Sequence, residues 1–482
     1  PLAKIDEVPL RGSLDRAIGA EIRAAFDNAA YCNGNGACFD FDETSPMCPS
    51  YKATRDRRFS PKGRASLMRE WLRLLAENGI NPLKEAAHAG GPNMLVGLMA
   101  RAWNSLNPAN RNDFSHEVRA AMDTCLACKA CAGQCPVKVN VPAFRSKFLE
   151  LYHTRYLRPL KDPIVSAIES ALPLMARLKP AYNAVVGSRS GKLLMRLVGL
   201  TAIPLLAKSS VEREAARLGV QLATLRHIER LSPQQRADAV VIVPDAFTTY
   251  FNPEVVLAAL QLAKKLGFTP YLSVPHQNGK ALHVHGYLRA FQKRAQRTIR
   301  YFDRLADMGI ALVGLDPSMT LTFRSEYMNM PGAQPRARVL LPQEWLVTHL
   351  ERFGVMTTAI ADERSRLLLH CTERTNAPAS ATQWATVFGK LGIHLDVADV
   401  GCCGMAGTFG HEVRNREISE KLYAMTWAQQ IGEATDGVLV MATGYSCRSQ
   451  VKEIDRRKIP HPVEVLNELT CENSRPTRWH DM

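Results

Sequence analysis

The residues of this sequence best suited to chemistry are its cysteines. The densest group is the segment "CLACKACAGQCP" (125–136), in which Cys125, Cys128 and Cys131 recur at every third position. Such a loop directs thiolates to separate corners of an iron–sulfur cube, and the fourth cysteine, Cys135 before a proline, usually ligates the other cluster of a pair. A zinc site is disfavoured because structural zinc normally takes two ligands from each of two knuckles. The spacing therefore predicts a 4Fe–4S cluster at this loop.

A second, incomplete copy of the pattern lies near the N-terminus. Cys32 and Cys38 are spaced like the outer pair of such a run, but Asn35 stands where the middle cysteine would be. Cys48 follows and precedes a proline, so ligand exchange between paired motifs makes it the fourth ligand of the first cluster. Cys32, Cys38 and Cys135 would remain for a second cluster, either 3Fe–4S or 4Fe–4S with one non-cysteine ligand. The alternative is an empty site whose glycines only form a turn.

The last half of the chain carries the pattern of parallel α/β structure. Short apolar runs such as "AVVIV" (239–243) alternate with helical segments. The stretch that starts near residue 238 aligns without gaps with the stretch that starts near residue 366, and the constant offset, 392 − 267 = 125, places Gly267 on Gly392. The alignment predicts an internal duplication that forms two tandem lobes of the CCG type. Cysteines occupy the strand ends of the second lobe only.

These strand-end residues of the second lobe are candidates for a further site, because open parallel sheets place their sites at the carboxyl ends of strands. The candidates are Cys371, Cys402, Cys403, Cys447, His370 and His411. The Gly-Cys-Cys-Gly turn should present its thiols to backbone N–H groups and a helix dipole, which favours thiolates. A metal site built from these thiols and imidazoles is one expectation, and free thiols in the relic of a cluster pocket are the other.

The elements that must position these residues divide the chain into five parts. We expect a helical, ferredoxin-like iron–sulfur domain, a cysteine-free helical spacer, a first α/β lobe, a second α/β lobe and a short tail. The predicted bounds are 1–162, 163–232, 233–340, 341–475 and 476–482. Helical periodicity is predicted over 12–30, 63–78, 93–104 and 143–157. The expected fold class is therefore α followed by α/β.

Composition narrows the classes of protein. A length of 482 residues requires more than one domain, and twelve cysteines without a secretory signal favour metal or redox chemistry over disulfides. The chain begins at Pro1 without an initiator methionine, so we expect a piece of a longer polypeptide. The net charge of +15 indicates an acidic partner. We expect a cytoplasmic protein, with peripheral contact at the inner face of the cell membrane as the closest approach to lipid.

Several longer strings carry a family resemblance. They are CNGNGAC, SPMCPS, SPKGRA, REWLRLLA, DFSHEV, CLACKACAGQCP, LYHTRYLRPL, HCTE, GCCGMAGTFGHE and ATGYSCRSQ. Together they resemble the bacterial FAD-binding and iron–sulfur-binding D-2-hydroxyglutarate dehydrogenases, over essentially the whole chain. The last third also looks like the CCG domains of glycolate oxidase iron–sulfur subunits and heterodisulfide reductases. That pattern ends in C-x-x-C, whereas Gly444 takes the first place here, which argues against a full CCG cluster.

The resemblance implies FAD-linked oxidation of D-2-hydroxyglutarate, or of a related D-2-hydroxy acid such as D-lactate. FAD and substrate would bind in an N-terminal flavin half that these residues do not include, so the chain alone would be inactive. It would pass electrons singly from the flavin to a quinone, an electron-transfer flavoprotein or another acceptor. The implied partners are the flavin half, fused or separate, and the acceptor. A homo-oligomer is also expected.

Two other functions fit parts of the pattern. One is a separate iron–sulfur subunit of a glycolate or D-lactate oxidase, which the upstream reading frame would distinguish. The other is a basic iron–sulfur protein that binds nucleic acid, since a charge of +15 permits contact with phosphates. The sequence shows neither a nucleic-acid motif nor a basic stripe with interleaved aromatics. No nucleic-acid partner is therefore expected.

Overall fold

The chain folds as two compact units. The computed structural model describes residue 13 and residues 15–88, 94–107, 114–201, 203–354, 364–433 and 438–470. The first unit comprises residues 1–41, 47–163 and 283–288, and the second comprises 42–46, 164–282 and 289–482. The predicted spacer and both predicted lobes fall within the second unit, apart from 163 and 283–288, and the predicted tail lies outside the described residues.

The first unit is built from helices. Its α-helices are Ala20–Ala25, Asp27–Ala30, Pro49–Thr54, Pro61–Glu77, Pro82–His88, Met94–Leu106, Ser115–Asp123, Ala130–Gln134 and Val141–Arg155, with 3-10 turns at Asp15–Ala17 and Arg57–Phe59. Three of the predicted helices therefore occur within two residues of their expected bounds. The helix predicted over 12–30 is instead broken, because Phe26 leaves the helical region with φ −115° and ψ 30°.

Two long helices organise the core of the first unit. The hydroxyl of Ser60 accepts the N–H of Gly63 at the start of Pro61–Glu77, and the Asn140 side chain caps Val141–Arg155 in the same way. Their facing sides are buried, and the ring of Trp71 packs edge-on against Phe148 with centroids 5.0 Å apart. The cysteine-bearing loops pack against this core. Their positions are thus set by rigid helices.

The second unit contains two parallel sheets. The strands are β1 Gln221–Leu222, β2 Ala239–Val243, β3 Thr269–Leu272, β4 Ala311–Gly314, β5 Val339–Leu340, β6 Arg364–Leu368, β7 Leu395–Ala398 and β8 Val438–Ala442. The first sheet has the order β1-β3-β2-β4-β5 and the second has the order β7-β6-β8. Every described strand pair is parallel. The expected combination of a helical part with parallel α/β structure is confirmed.

The two sheets share the arrangement of their three central strands. The order β3-β2-β4 in one sheet corresponds to β7-β6-β8 in the other. Adding the offset of 125 to β2 gives 239 + 125 = 364 and 243 + 125 = 368, which are the bounds of β6. The predicted duplication is supported by this correspondence. Strands β1 and β5 are two residues long, too short for sequence periodicity to reveal.

Helices surround these sheets. The α-helices are Lys161–Arg177, Lys179–Gly187, Arg189–Leu197, Val211–Arg217, Leu225–Glu229, Pro233–Ala237, Ala246–Phe251, Pro253–Lys265, Lys280–Val284, Leu288–Asp307, Pro317–Phe323, Pro342–Leu346, Cys371–Asn376, Ser380–Lys390, Arg416–Gly432, Tyr445–Ile454 and Pro462–Leu469, with 3-10 turns at Val347–Arg352, Phe409–His411 and Val413–Asn415. Buried residues of both sheets belong to one hydrophobic core. None of the helices in the described ranges is long and apolar enough to cross a bilayer.

Candidate metal centre

Four cysteines line one cavity in the first unit. Cys48, Cys125, Cys128 and Cys131 surround a space of about 300 Å³. Cys48 and Cys131 are buried, whereas Cys125 and Cys128 are partly exposed. These are the four thiols that ligand exchange between the two motifs predicts for one cluster. Sequence positions almost eighty residues apart thus meet at one cavity, with soft sulfur donors on several of its walls.

The cavity wall is built on unusual backbone. Cys48, Ala127 and Lys129 all have positive φ, at 39°, 53° and 61° respectively. Left-handed conformations of non-glycine residues are costly and cluster at functional sites. Here they keep the segment between Cys125 and Cys128 out of a helix, and helix Ala130–Gln134 begins only afterwards. The strain is therefore located where the proposed ligands must be presented.

The thiols of this cavity are difficult to ionise without a cation. Burial raises the pKa of Cys48, and the nearby guanidinium of Arg64 opposes that rise. Burial also raises the pKa of Cys131, with a further contribution from Cys125. A bound iron would supply the missing positive charge and replace the thiol protons. The donor set therefore fits a cationic iron–sulfur group better than it fits free thiolates.

Arg64 is the residue at this site that the sequence does not reveal. It is 1 % exposed, lines the cavity, and its Nη1 lies 3.7 Å from the Sγ of Cys48. Its other hydrogen bonds go to Ser50, Thr124 and the carbonyl of Ala121. The string SPKGRA contains it, but helical periodicity alone does not distinguish a buried arginine from an exposed one.

The N-terminal cysteine loop is an ordered turn. The Asn35 Oδ1 accepts the N–H of Ala37 at 2.9 Å, and its Nδ2 donates to Asn33 at 2.8 Å. Gly34 and Gly36 on either side have φ of 74° and 83°. The side chain of Asn35 is therefore engaged in the turn, away from any role as the non-cysteine ligand of a second cluster.

The three cysteines left for a second cluster share one environment. Cys32 and Cys38 belong to the buried cluster of the first unit, and Cys135 packs against it. Burial raises the pKa of Cys38, with smaller contributions from Cys48 and Cys32. These contacts are compatible with a second cluster and also with a closed glycine turn that holds none. Both alternatives therefore stay open at this position.

The four cysteines of the second lobe are neighbours. The thiol of Cys371 is hydrogen-bonded to Cys402, and the thiol of Cys403 is hydrogen-bonded to Cys402 and Cys447. All four side chains are buried. In the described part of the chain, no three His, Cys, Asp or Glu side chains are arranged as ligands of a single metal ion. The structure therefore brings the predicted thiols together in a tight group.

The prediction that this turn favours thiolates is wrong for the free thiols. The hydrogen bond with Cys402 raises the pKa of Cys371, and burial raises it further. For Cys403, the bond with Cys402 lowers the pKa, but Cys447 and burial together raise it well above its usual value. Desolvation and the neighbouring sulfurs outweigh the backbone dipoles that the sequence indicates.

The two histidines occupy different places. His370 caps helix Cys371–Asn376 through its Nδ1, which accepts the N–H of Thr372 at 3.1 Å, and its ring lies against Gly444. His411 lies on the 3-10 turn Phe409–His411, and the charged groups that act on it are Glu453 and Arg416. Among the described residues no contact joins His411 to one of the thiols. Only His370 therefore borders the cysteine group directly.

Comparison with known proteins agrees with the cysteine pattern. Residues 28–139 match the family model described as "4Fe-4S dicluster domain". This segment contains all seven cysteines of the first unit, and the match confirms the predicted 4Fe–4S type of domain. No solved structure matches the chain.

Curated relatives extend over nearly the whole chain. The chain is 48 % identical over 467 residues to a D-2-hydroxyglutarate dehydrogenase of Pseudomonas putida, covering 96 % of this chain and 46 % of that protein. It is 44 % identical to the protein of the same name from Escherichia coli, covering 97 % and 46 %. A weaker similarity, 22 % over 242 residues, links it to one of the subunits of the E. coli anaerobic glycerol-3-phosphate dehydrogenase, covering 48 % and 59 %. The chain thus spans about half the length of the D-2-hydroxyglutarate dehydrogenases that it matches.

Proposed function

We propose that this chain is the iron–sulfur, electron-transferring part of an FAD-dependent D-2-hydroxyglutarate dehydrogenase. The observation that carries the proposal is the single cavity lined by Cys48, Cys125, Cys128 and Cys131, in a chain similar to D-2-hydroxyglutarate dehydrogenases over nearly its full length. The matched share of those relatives leaves more than half of their length for other functions. We assign the flavin and the substrate site to that remaining part.

The four cysteines would act as the ligands of a 4Fe–4S cluster. A cluster of this kind supplies one-electron transfer, whereas oxidation of a hydroxy acid releases two electrons to a flavin. The residues of this chain would hold the cluster, shield it from water on the buried side of Cys48 and Cys131, and leave the side of Cys125 and Cys128 open. The partly exposed side is therefore our candidate for electron entry or exit.

We further propose that electrons leave toward an acceptor at or near a membrane, such as a quinone, or toward an electron-transfer flavoprotein. Helix Arg189–Leu197 supports peripheral contact, because Leu193, Leu194 and Leu197 are 61 %, 53 % and 77 % exposed. Arg189, Lys192 and Arg196 on the same helix are exposed as well. Exposed leucines beside basic residues are typical of helices that lie on anionic lipid surfaces.

A second candidate function is a separate iron–sulfur subunit of a related dehydrogenase, such as a glycolate or D-lactate oxidase. The similarity to a subunit of the anaerobic glycerol-3-phosphate dehydrogenase favours it, although identity there is 22 % over about half of the chain. The stronger and longer similarity to the D-2-hydroxyglutarate dehydrogenases makes the first candidate our conclusion.

Reduction of the flavin and its reoxidation test the proposal separately. The chain is joined to the remaining part of a D-2-hydroxyglutarate dehydrogenase, and FAD absorbance is followed in stopped flow after addition of D-2-hydroxyglutarate. Cys128→Ser should leave flavin reduction nearly intact and slow its reoxidation by an acceptor that draws electrons through this chain. Gly389→Ala, an open helical position, serves as the control. Turnover by the isolated 482-residue chain, without a flavin, would contradict the proposal.

A further inference from the structure

The wall of the cysteine cavity contains a buried positive charge without an acidic partner. Arg64 is 1 % exposed, and within the described ranges it forms no ion pair with a carboxylate. Its hydrogen bonds end on the Ala121 carbonyl at 2.8 Å, the Ser50 hydroxyl at 2.7 Å and the Thr124 hydroxyl at 2.8 Å. All three acceptors are neutral. Buried charges are normally paired, so this guanidinium requires an anion that the protein alone does not supply.

Among the described contacts of Arg64, the sulfur of Cys48 is the group that can carry negative charge. The distance from Nη1 to Sγ is 3.7 Å, and Arg64 acts electrostatically on Cys131 as well. As a free thiol, Cys48 donates to the carbonyl of Phe59 at 3.3 Å and carries no charge. It becomes the missing anion only when a metal has displaced its proton.

Arg64 also links the two segments that supply the cysteines. Through Ser50 it holds the turn that begins helix Pro49–Thr54, and through Thr124 it holds the residue just before Cys125. Its own backbone lies on the rigid helix Pro61–Glu77. One side chain thus fixes the distance between the isolated ligand and the loop that carries the other three.

We propose that Arg64 is the electrostatic partner of the cluster and raises its reduction potential. The inference rests on the proposed function, since it assumes a 4Fe–4S cluster in this cavity. On reduction, one electron arrives from the flavin or from a chemical reductant, and the cluster gains one negative charge while Arg64 keeps its proton. A fixed positive charge in a poorly solvated wall stabilises the reduced form more than the oxidised form. Net charge and hydrogen bonds to the sulfurs are the established determinants of such potentials.

Lys129 is the other cation of this wall. It lines the same cavity and is 5 % exposed. Its place in the loop between Cys128 and Cys131 makes its substitution a change to the ligand loop itself. Arg64 lies on a helix outside both cysteine segments, so its charge can be removed without altering the sequence of either one.

A redox titration of the full chain, monitored by low-temperature electron paramagnetic resonance, tests the proposal. Arg64→Gln removes the charge, and Arg64→Lys keeps it. We expect Arg64→Gln to shift the ratio of oxidised to reduced cluster more than tenfold toward the oxidised form at a fixed potential, which is about 59 mV for one electron. Arg64→Lys should shift the ratio by less. The control is Arg69→Gln, a buried arginine on the same helix that pairs with Asp15 and should leave the potential unchanged.

Each result decides between the alternatives. A lower potential in Arg64→Gln, or loss of the cluster in Arg64→Gln with retention in Arg64→Lys, supports the proposal. An unchanged potential in Arg64→Gln overturns it, as does loss of the cluster in both variants when circular dichroism shows that they are folded. A wild-type chain without any cluster would overturn the proposed function as well, which separates the two failures.

Discussion

Gly444 holds the place where the CCG pattern has a cysteine, and a side chain there would collide with His370. A Cβ atom at Gly444 would lie 2.4 Å from Cδ2 of His370 and 3.1 Å from Sγ of Cys447. The backbone itself is permissive, because φ is −85° and ψ is 136°, a region open to every residue. The glycine is thus required for space. Gly444→Ala is the smallest change that tests this requirement.

The size of the effect follows from the overlap. Ordinary contacts of a Cβ begin near 3.4 Å, so the added methyl group intrudes by 3.4 − 2.4 = 1.0 Å on the imidazole of His370. Overpacking of this kind costs about 1–3 kcal/mol. If His370 turns aside instead, its Nδ1 gives up the N–H of Thr372, a cap worth about 1 kcal/mol. We expect Gly444→Ala to lower the free energy of unfolding by about 2 kcal/mol, and Gly444→Cys by at least as much.

Denaturant unfolding followed by circular dichroism measures this loss. The matched control is Gly389→Ala, since a Cβ at Gly389 meets nothing within 4 Å and alanine suits the helix Ser380–Lys390. In a His370→Ala background the cost of Gly444→Ala should largely disappear, because the two sites are in contact. Equal stability of Gly444→Ala and wild type, or an undiminished loss in the double variant, would refute the steric reasoning.

Three further predictions concern other parts of the chain. Burial raises the pKa of Glu373 from 4.5 to about 7, so its contribution to stability is lost as pH rises through that interval, and Glu373→Gln should remove about 3 kcal/mol of the decline in unfolding free energy between pH 5 and pH 8; an identical pH dependence in both proteins would contradict this. Asn35→Ala should speed hydrogen exchange of the Ala37 amide without loss of iron, whereas a loss of iron would make Asn35 a ligand. Leu194→Glu should weaken binding to vesicles that contain anionic lipid by about tenfold, and unchanged binding would exclude helix Arg189–Leu197 as the contact.

The sequence predicts the regular parts of this structure well. Apolar runs and their spacing give β2, β3, β4, β6, β7 and β8, because these strands are buried and long enough to show a pattern. The helices Pro61–Glu77 and Val141–Arg155 are predicted within two residues at each end. The broken helix near Phe26 is missed, since a change in backbone conformation there leaves the apolar periodicity intact.

The candidate site is predicted only in part, because cysteine spacing carries information that buried charge does not. The ligand-exchange rule selects Cys48 as a partner of Cys125, Cys128 and Cys131, and the four line one cavity. Arg64 has no such signal, since its burial depends on tertiary contacts with Ser50 and Thr124. Similarly, the glycine of Gly-Tyr-Ser-Cys reads as a missing ligand, whereas the structure gives it a steric reason in the ring of His370.

Low-temperature electron paramagnetic resonance of the anaerobically purified chain, reduced with dithionite and calibrated against its iron and sulfide content, addresses the iron–sulfur assignment most directly. Wild type should show the signal of a reduced 4Fe–4S cluster. Cys48→Ser should lose or strongly alter that signal, because Cys48 is the ligand contributed from outside the loop of Cys125 to Cys131. Cys447→Ser, a change in the second unit, should retain it. A full and unaltered signal in Cys48→Ser, with the iron content of wild type, would contradict a cluster held by these four cysteines.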